Sequence, residues 1–139
     1  MNPSPPRTVR RLAQAGVLSL ALAAGVAAAE PDAQAQREID HLLQFVGTSN
    51  CTFVRNGEPH PAAEAREHLA SKYRFARSRI STADEFIRYL GTSSSSSGEA
   101  YKIVCAGKEG PAGAWLSGEL ERYRKVAAQR ASGTPAPAR

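Results

Sequence analysis

Cys51-Thr52-Phe53-Val54-Arg55-Asn56-Gly57 is the stretch whose reading decides the fold. It is β-branched and aromatic, and it runs into Asn-Gly, a dipeptide that favours the positive φ angles of a tight turn. It predicts a strand and a turn, with Pro59 limiting any returning strand to a stub because proline has no amide to donate. A second strand is predicted over 101–105, where Tyr101, Ile103 and Cys105 alternate with Lys102 and Val104. If Cys51 lies opposite Cys105 in an antiparallel pair, Phe53 faces Ile103 and Arg55 faces Tyr101. Both apolar pairs then share one face. A non-hydrogen-bonded antiparallel pair has a Cα separation of about 4.5 Å, within reach of a disulfide. The same register brings Asn56-Gly57 and the serine run Ser93–Ser97 to one end of the ribbon, where a site is expected.

Working outward, 30–36 is a polar, Ala-rich stretch without an apolar face and reads as a flexible lead-in. From Arg37 the spacing of Ile39, Leu42, Leu43 and Val46 predicts a helix ending near Gly47, with Asp32 as an upstream cap. Pro61 suits a helix start, and a second helix is predicted from Ala62 to about Ser78, with Ala65, Leu69, Tyr73 and Ala76 along one side. Ser81-Thr82-Ala83-Asp84 resembles a capping box for a short third helix that buries Phe86, Ile87 and Leu90 and stops at Gly91. Thr92 to Gly98 is a loop. A fourth helix is expected from Ala114 to about Ala128, with Trp115, Leu116 and Leu120 as core, followed by a disordered tail within 129–139. The fold class is α+β: one domain over 37–128, about four helices packed on a short two-stranded antiparallel ribbon, with one disulfide.

Residues 1–29 read as a signal peptide. Arg7, Arg10 and Arg11 open it, an apolar run follows from Leu12 to Val26, and Ala27-Ala28-Ala29 supplies the small residues of a cleavage site. The run is short and Ala-rich, so no stable membrane span is expected once it is removed, and no cysteine follows it to carry a lipid. The general secretory route and a periplasmic address follow as expectations. In an oxidising compartment, Cys51 and Cys105 are expected to pair. Closing that loop contributes about 4 kcal/mol in the loop-closure treatment, a large share of the roughly 5–15 kcal/mol that holds a domain folded.

Without the leader, 110 residues remain, carrying 15 basic against 13 acidic residues, a balance of +2. So weak an excess argues against nucleic acid as a partner. An envelope protein or a small polar or anionic ligand fits the composition better. Asn56, His60, Glu64, His68 and Lys72 follow the turn, and the last four recur every fourth residue, so Glu64 can pair with either histidine or with Lys72. A solvated, salt-bridged helix face is the bland reading. Zinc is disfavoured, because on a helix His60 and His68 stand about 12 Å apart along the axis. No cofactor motif is present. The serine run lacks a GxSxG or SxxK context and reads first as a flexible polar connection, with an anion or sugar pocket as the functional alternative. Lys72, Arg74, Arg77, Arg79 and Arg88, with Tyr73 and Phe75 interleaved, form a basic face that reads first as a solvated one, with the phosphates of an outer-membrane surface or an acidic partner protein as the functional alternative.

Cys51-Thr52-Phe53-Val54-Arg55-Asn56-Gly57, His60, His68-Leu69, Lys72-Tyr73, Ser95-Ser96-Ser97-Gly98, Tyr101, Cys105-Ala106-Gly107, Trp115-Leu116, Glu119-Leu120 and Tyr123-Arg124 together resemble the YfeK-like family of small exported proteobacterial proteins of unknown function. The resemblance covers about Glu38 to Arg124 and implies export and a shared fold, with no activity to carry over. Arg55, Asn56, His60, His68, Lys72, Ser95, Ser96 and Tyr101 are the candidate ligand-binding residues. The expected function is a non-enzymatic binding or interaction protein. Its alternatives are a small hydrolase using a loop serine with His60 as base, and an envelope inhibitor of a lytic enzyme.

Overall fold

The computed structural model describes Met1 and residues 30–133, so the expected signal peptide, Met1 aside, and the end of the expected tail lie outside the described residues. In chain order the elements are α1 (Ala33–Thr48), β1 (Thr52–Arg55), β2 (Glu58–Pro61), α2 (Ala62–Ala76), a 3-10 turn (Arg77–Arg79), and α3 (Ala83–Phe86), which runs on as a π-helical turn (Ile87–Gly91). They are followed by β3 (Lys102–Cys105), β4 (Lys108–Pro111) and α4 (Ala112–Ala131). The α+β class holds, but the ribbon is half of a four-stranded antiparallel sheet with order β2-β1-β3-β4.

The central pair has the expected register, Thr52 to Val104, Phe53 to Ile103 and Val54 to Lys102. Cys51 and Cys105 are disulfide-bonded across it with Cα atoms 4.7 Å apart. The two additional strands are the outer ones. Proline cannot donate to a ladder, and at a sheet edge the missing donor faces solvent, so β2 accommodates Pro59 and Pro61 and β4 accommodates Pro111. The stub expected after Asn56-Gly57 is therefore a full partner strand, from Glu58 opposite Arg55 to Pro61 opposite Thr52. Its turn puts Asn56 and Gly57 at φ 51° and 78°, and the turn between β3 and β4 puts Ala106 and Gly107 at 49° and 75°. Positive φ at both central residues is the type I′ geometry that matches strand twist.

The first and fourth helices also exceed their expected bounds, whereas α2 ends at Ala76, short of the expected Ser78. Asp32 accepts a hydrogen bond from the Ala35 amide at 2.8 Å, so the capped helix takes in most of the lead-in and buries Ala35. At the other end α4 continues through Ala131, past the expected start of the tail, while 134–139 lie outside the described residues. Ile39, Leu42 and Val46 of α1, Leu69 and Tyr73 of α2, Phe86, Ile87 and Leu90, and Leu116 and Leu120 of α4 form the core. The sheet contributes Ile103 and Phe53 to it. Trp115 is only partly buried, stacked on Phe45 with ring centroids 4.3 Å apart.

This element order is one unit written twice, helix, hairpin, helix. Asp40 and Gly47-Thr48-Ser49 recur 44 residues on as Asp84 and Gly91-Thr92-Ser93. Val54, Gly57, Pro61-Ala62 and Tyr73-Arg74 recur 50 residues on as Val104, Gly107, Pro111-Ala112 and Tyr123-Arg124. The offset changes by the six residues Ser94–Glu99, an insertion closed at its base by the bridge between Ser93 and Ala100. The two units meet at β1 and β3, and the sheet order is symmetric about that junction.

Candidate functional site

Side chains alternate across a strand, so Phe53 and Arg55 leave the same face of β1, and His60, directly opposite Phe53, leaves that face of β2. Ala62 begins α2 immediately after Pro61 ends β2, which lays the first turns of α2 across this face. Between them is a cavity of about 60 Å³. Val46, Phe53, Leu69 and Leu116 give it apolar walls, and Arg55, His60, Glu64, His68 and Tyr101 are also among its lining residues.

His60 belongs to β2 rather than to the helix, and its Nδ1 lies 2.6 Å from Glu64 Oε1. With the carboxylate as acceptor, Nδ1 carries the proton. Nε2 is buried and has no hydrogen-bond partner among the described protein groups. Arg55 Nη1 lies 2.8 and 3.0 Å from the two ring nitrogens of His68. Burial first, then the charges of Arg55 and Lys72, push the His68 pKa below its ordinary value, which keeps the ring neutral and able to accept from the guanidinium. Among the described residues Arg55 forms no ion pair with a carboxylate.

Lys72 has a different task. Its Nζ donates to the Leu90 and Ser93 carbonyls at 2.9 and 3.2 Å and reaches the Tyr101 hydroxyl at 3.2 Å. It thus satisfies carbonyls freed where the π-helical turn ends and fixes the Tyr101 ring, whose centroid is 5.0 Å away. Burial lowers the Lys72 pKa and raises that of Tyr101. Asn56 is held outside the cavity, where its Oδ1 accepts from Ser97 Oγ at 2.6 Å. That bond joins the two loops which the strand register brings together. Ser95 and Ser96 are exposed, and Ser96 pairs with Ser94 at 3.0 Å. Of the eight candidate residues, Arg55, His60, His68 and Tyr101 line the cavity, Lys72 buttresses it, and Asn56, Ser95 and Ser96 lie at the ribbon tip.

The apolar wall was missed as part of the site. Its signal was available in Phe53, on the same strand face as Arg55, and in Leu69, beside His68. Elsewhere, buried Glu119 takes His41 and Arg122, and buried Glu38 takes Arg124, which also reaches Asp84. These pairs fasten α4 to α1 and α3. The basic stretch from Arg74 to Arg79 is exposed, with Phe75 protruding, and Arg88 lies 4.6 Å above the ring of its neighbour Tyr89. Among the described residues no group of three or more His, Cys, Asp or Glu is placed to hold a metal ion, and no helix is long and apolar enough to cross a membrane.

The chain belongs to a family of unknown function (DUF5329), whose model matches residues 33–124. It is 38% identical over 74 residues to the uncharacterized protein YfeK of Salmonella typhimurium, an overlap of 52% of this chain and 62% of the relative. The chain therefore spans less than two thirds of that curated relative. No solved structure matches. The resemblance read from the cysteine-flanked segments is thus shown, and it assigns no activity.

Proposed function

We propose that this family member is an exported, periplasmic protein that binds a small anionic ligand in the cavity between β1, β2 and α2, without acting on it as an enzyme. One observation carries the reading: Arg55, whose guanidinium has no carboxylate partner among the described residues and lies against the neutral imidazole of His68, lines an apolar cavity. A guanidinium presents a fork of donors matched to a carboxylate. The apolar walls favour a ligand with an uncharged end. The leader pattern of residues 1–29 and the Cys51–Cys105 bridge support export. The hydrolase alternative needs a serine beside His60, and none of the described serines is among the residues that line the cavity with it. Nothing favours the inhibitor alternative.

Calorimetric titration with acetate, propionate and butyrate, each against its neutral amide, tests the reading. The acids are expected to bind and the amides not, with Arg55→Gln weakening the acids at least tenfold. Equal binding of acid and amide, or an unaffected Arg55→Gln protein, would overturn it. Recovery of the protein from the periplasm with Glu30 at its amino terminus checks the address, and a retained leader would contradict it.

A further inference from the structure

We infer that the cavity selects acids that also carry a hydrogen-bond donor a few bonds from the carboxylate: a short hydroxy acid, an amino acid or an acylated amino acid. This rests on the anion-binding reading above and adds what the ligand must present to His60. The His60 ring lines the cavity, and with Glu64 accepting from Nδ1 at 2.6 Å the lone pair of the neutral tautomer lies on Nε2. That nitrogen is buried without a protein partner. A buried acceptor left unpaired is costly, and a ligand that donates to it gains selectively over one that does not.

The sheet fixes the span between the two contacts. His60 is opposite Phe53, so it is the diagonal neighbour of Arg55 on one face, a spacing of about 7–8 Å with the Cβ atoms somewhat closer. A carboxylate on the guanidinium and a donor on a neighbouring carbon or nitrogen fit between them. The cavity limits the remainder. A cavity of about 150 Å³ accepts benzene, so 60 Å³ accepts an apolar end of two or three carbons.

The test compares propionate with lactate, alanine and N-acetylalanine, which keep the carboxylate and the methyl end and add a hydroxyl, an ammonium or an amide N–H. Titrations followed by amide resonances give the affinities, and the ¹⁵N signal of His60 Nε2 reports its own hydrogen bond. At least one donor-bearing acid is expected to bind about tenfold more tightly than propionate and to shift the Nε2 signal, which propionate leaves in place. His60→Phe should erase that preference, so that the donor-bearing acids bind no more tightly than propionate. If that variant does not fold, the Nε2 shift in the native protein decides alone. Equal affinities for all four acids, or tighter binding of lactate or N-acetylalanine with an unmoved Nε2 signal, would overturn this inference and leave the Arg55 reading standing. If none of the acids binds, both fall.

Discussion

The unit built on β1 and β2 and the unit built on β3 and β4 share a frame and differ in what the frame carries. Both have a type I′ hairpin, a proline at the end of the outer strand and a helix starting at the next residue. Yet where the first unit has His60, Glu64 and His68, the second has Gly110, Ala114 and Gly118 at the equivalent positions. The junction of β1 and β3 diverges in the same way. Cys51 and Tyr101 are equivalent, as are Arg55 and Cys105, so one end of the central pair is closed by the disulfide and the other holds Arg55 and Tyr101. Duplication thus supplies a scaffold twice. Divergence has made one end a staple and left the other with the charged, hydrogen-bonding groups of the cavity.

Substitutions at equivalent positions are the way to break this comparison. The largest effect is expected at the ends of the central pair. Replacing Cys51 and Cys105 by Ala should cost about 4 kcal/mol in urea unfolding, whereas Arg55→Ala should cost under about 1 kcal/mol. Similar losses at both ends would mean that Arg55 is structural and that the two ends are not specialised. Next is Arg124, the equivalent of Arg74. Arg124 binds both oxygens of Glu38, which is only 4% exposed, while Arg74 forms no ion pair among the described residues. Arg124→Ala should cost about 2 kcal/mol at neutral pH, Arg74→Ala under about 0.5 kcal/mol. The hydrogen bonds from Arg124 hold the Glu38 pKa below its ordinary 4.5. This contribution is therefore complete above that value and disappears as pH falls through the lower, folded-state value. An Arg124→Ala deficit that persists in acid would show that the ion pair is not its source.

Gly47 and Gly91 make a smaller contrast. A Cβ on Gly91 would meet Leu116 Cδ1 at 2.8 Å inside the core, whereas on Gly47 it would meet the flexible stem of exposed Arg66. Gly91→Ala should cost about 1–2 kcal/mol and Gly47→Ala under about 0.5 kcal/mol, in thermal or urea unfolding. The smallest effect belongs to His68. Its folded-state pKa lies below 6.5, so between the two values the unfolded chain binds more protons and stability falls as pH drops below 6.5. His68→Gln should flatten that slope, and its equivalent Gly118 offers nothing to titrate. An unchanged slope in His68→Gln would move the effect elsewhere.

How much of this was legible follows from what each residue's neighbours in sequence disclose. The central register was legible because two cysteines allow one pairing, and that pairing also aligns Phe53 with Ile103. The outer strands were not. Glu58-Pro59-His60-Pro61 and Lys108-Glu109-Gly110-Pro111 have little strand propensity and pair through backbone alone at edges where proline is tolerated. The duplication was present in the letters, as Gly-Thr-Ser written twice and as Pro61-Ala62 matched by Pro111-Ala112, but the serine insertion shifts its period from 44 to 50 residues. In the site, Arg55, His60, His68 and Tyr101 were reachable because strand alternation and the four-residue spacing converge there. Asn56, Ser95 and Ser96 share the neighbourhood in sequence, yet local hydrogen bonding keeps them at the tip. A hydroxyl satisfied by its own loop is invisible to residue type.

The most direct measurement is an amide-resonance map of the ¹⁵N-labelled protein titrated with propionate. Saturable shifts are expected at Arg55, His60, His68 and Tyr101, with Cys105, Gly110 and Gly118 unmoved, and loss of those shifts in Arg55→Gln. Shifts of equal size in the two units, or none at Arg55 and His60, would contradict that expectation.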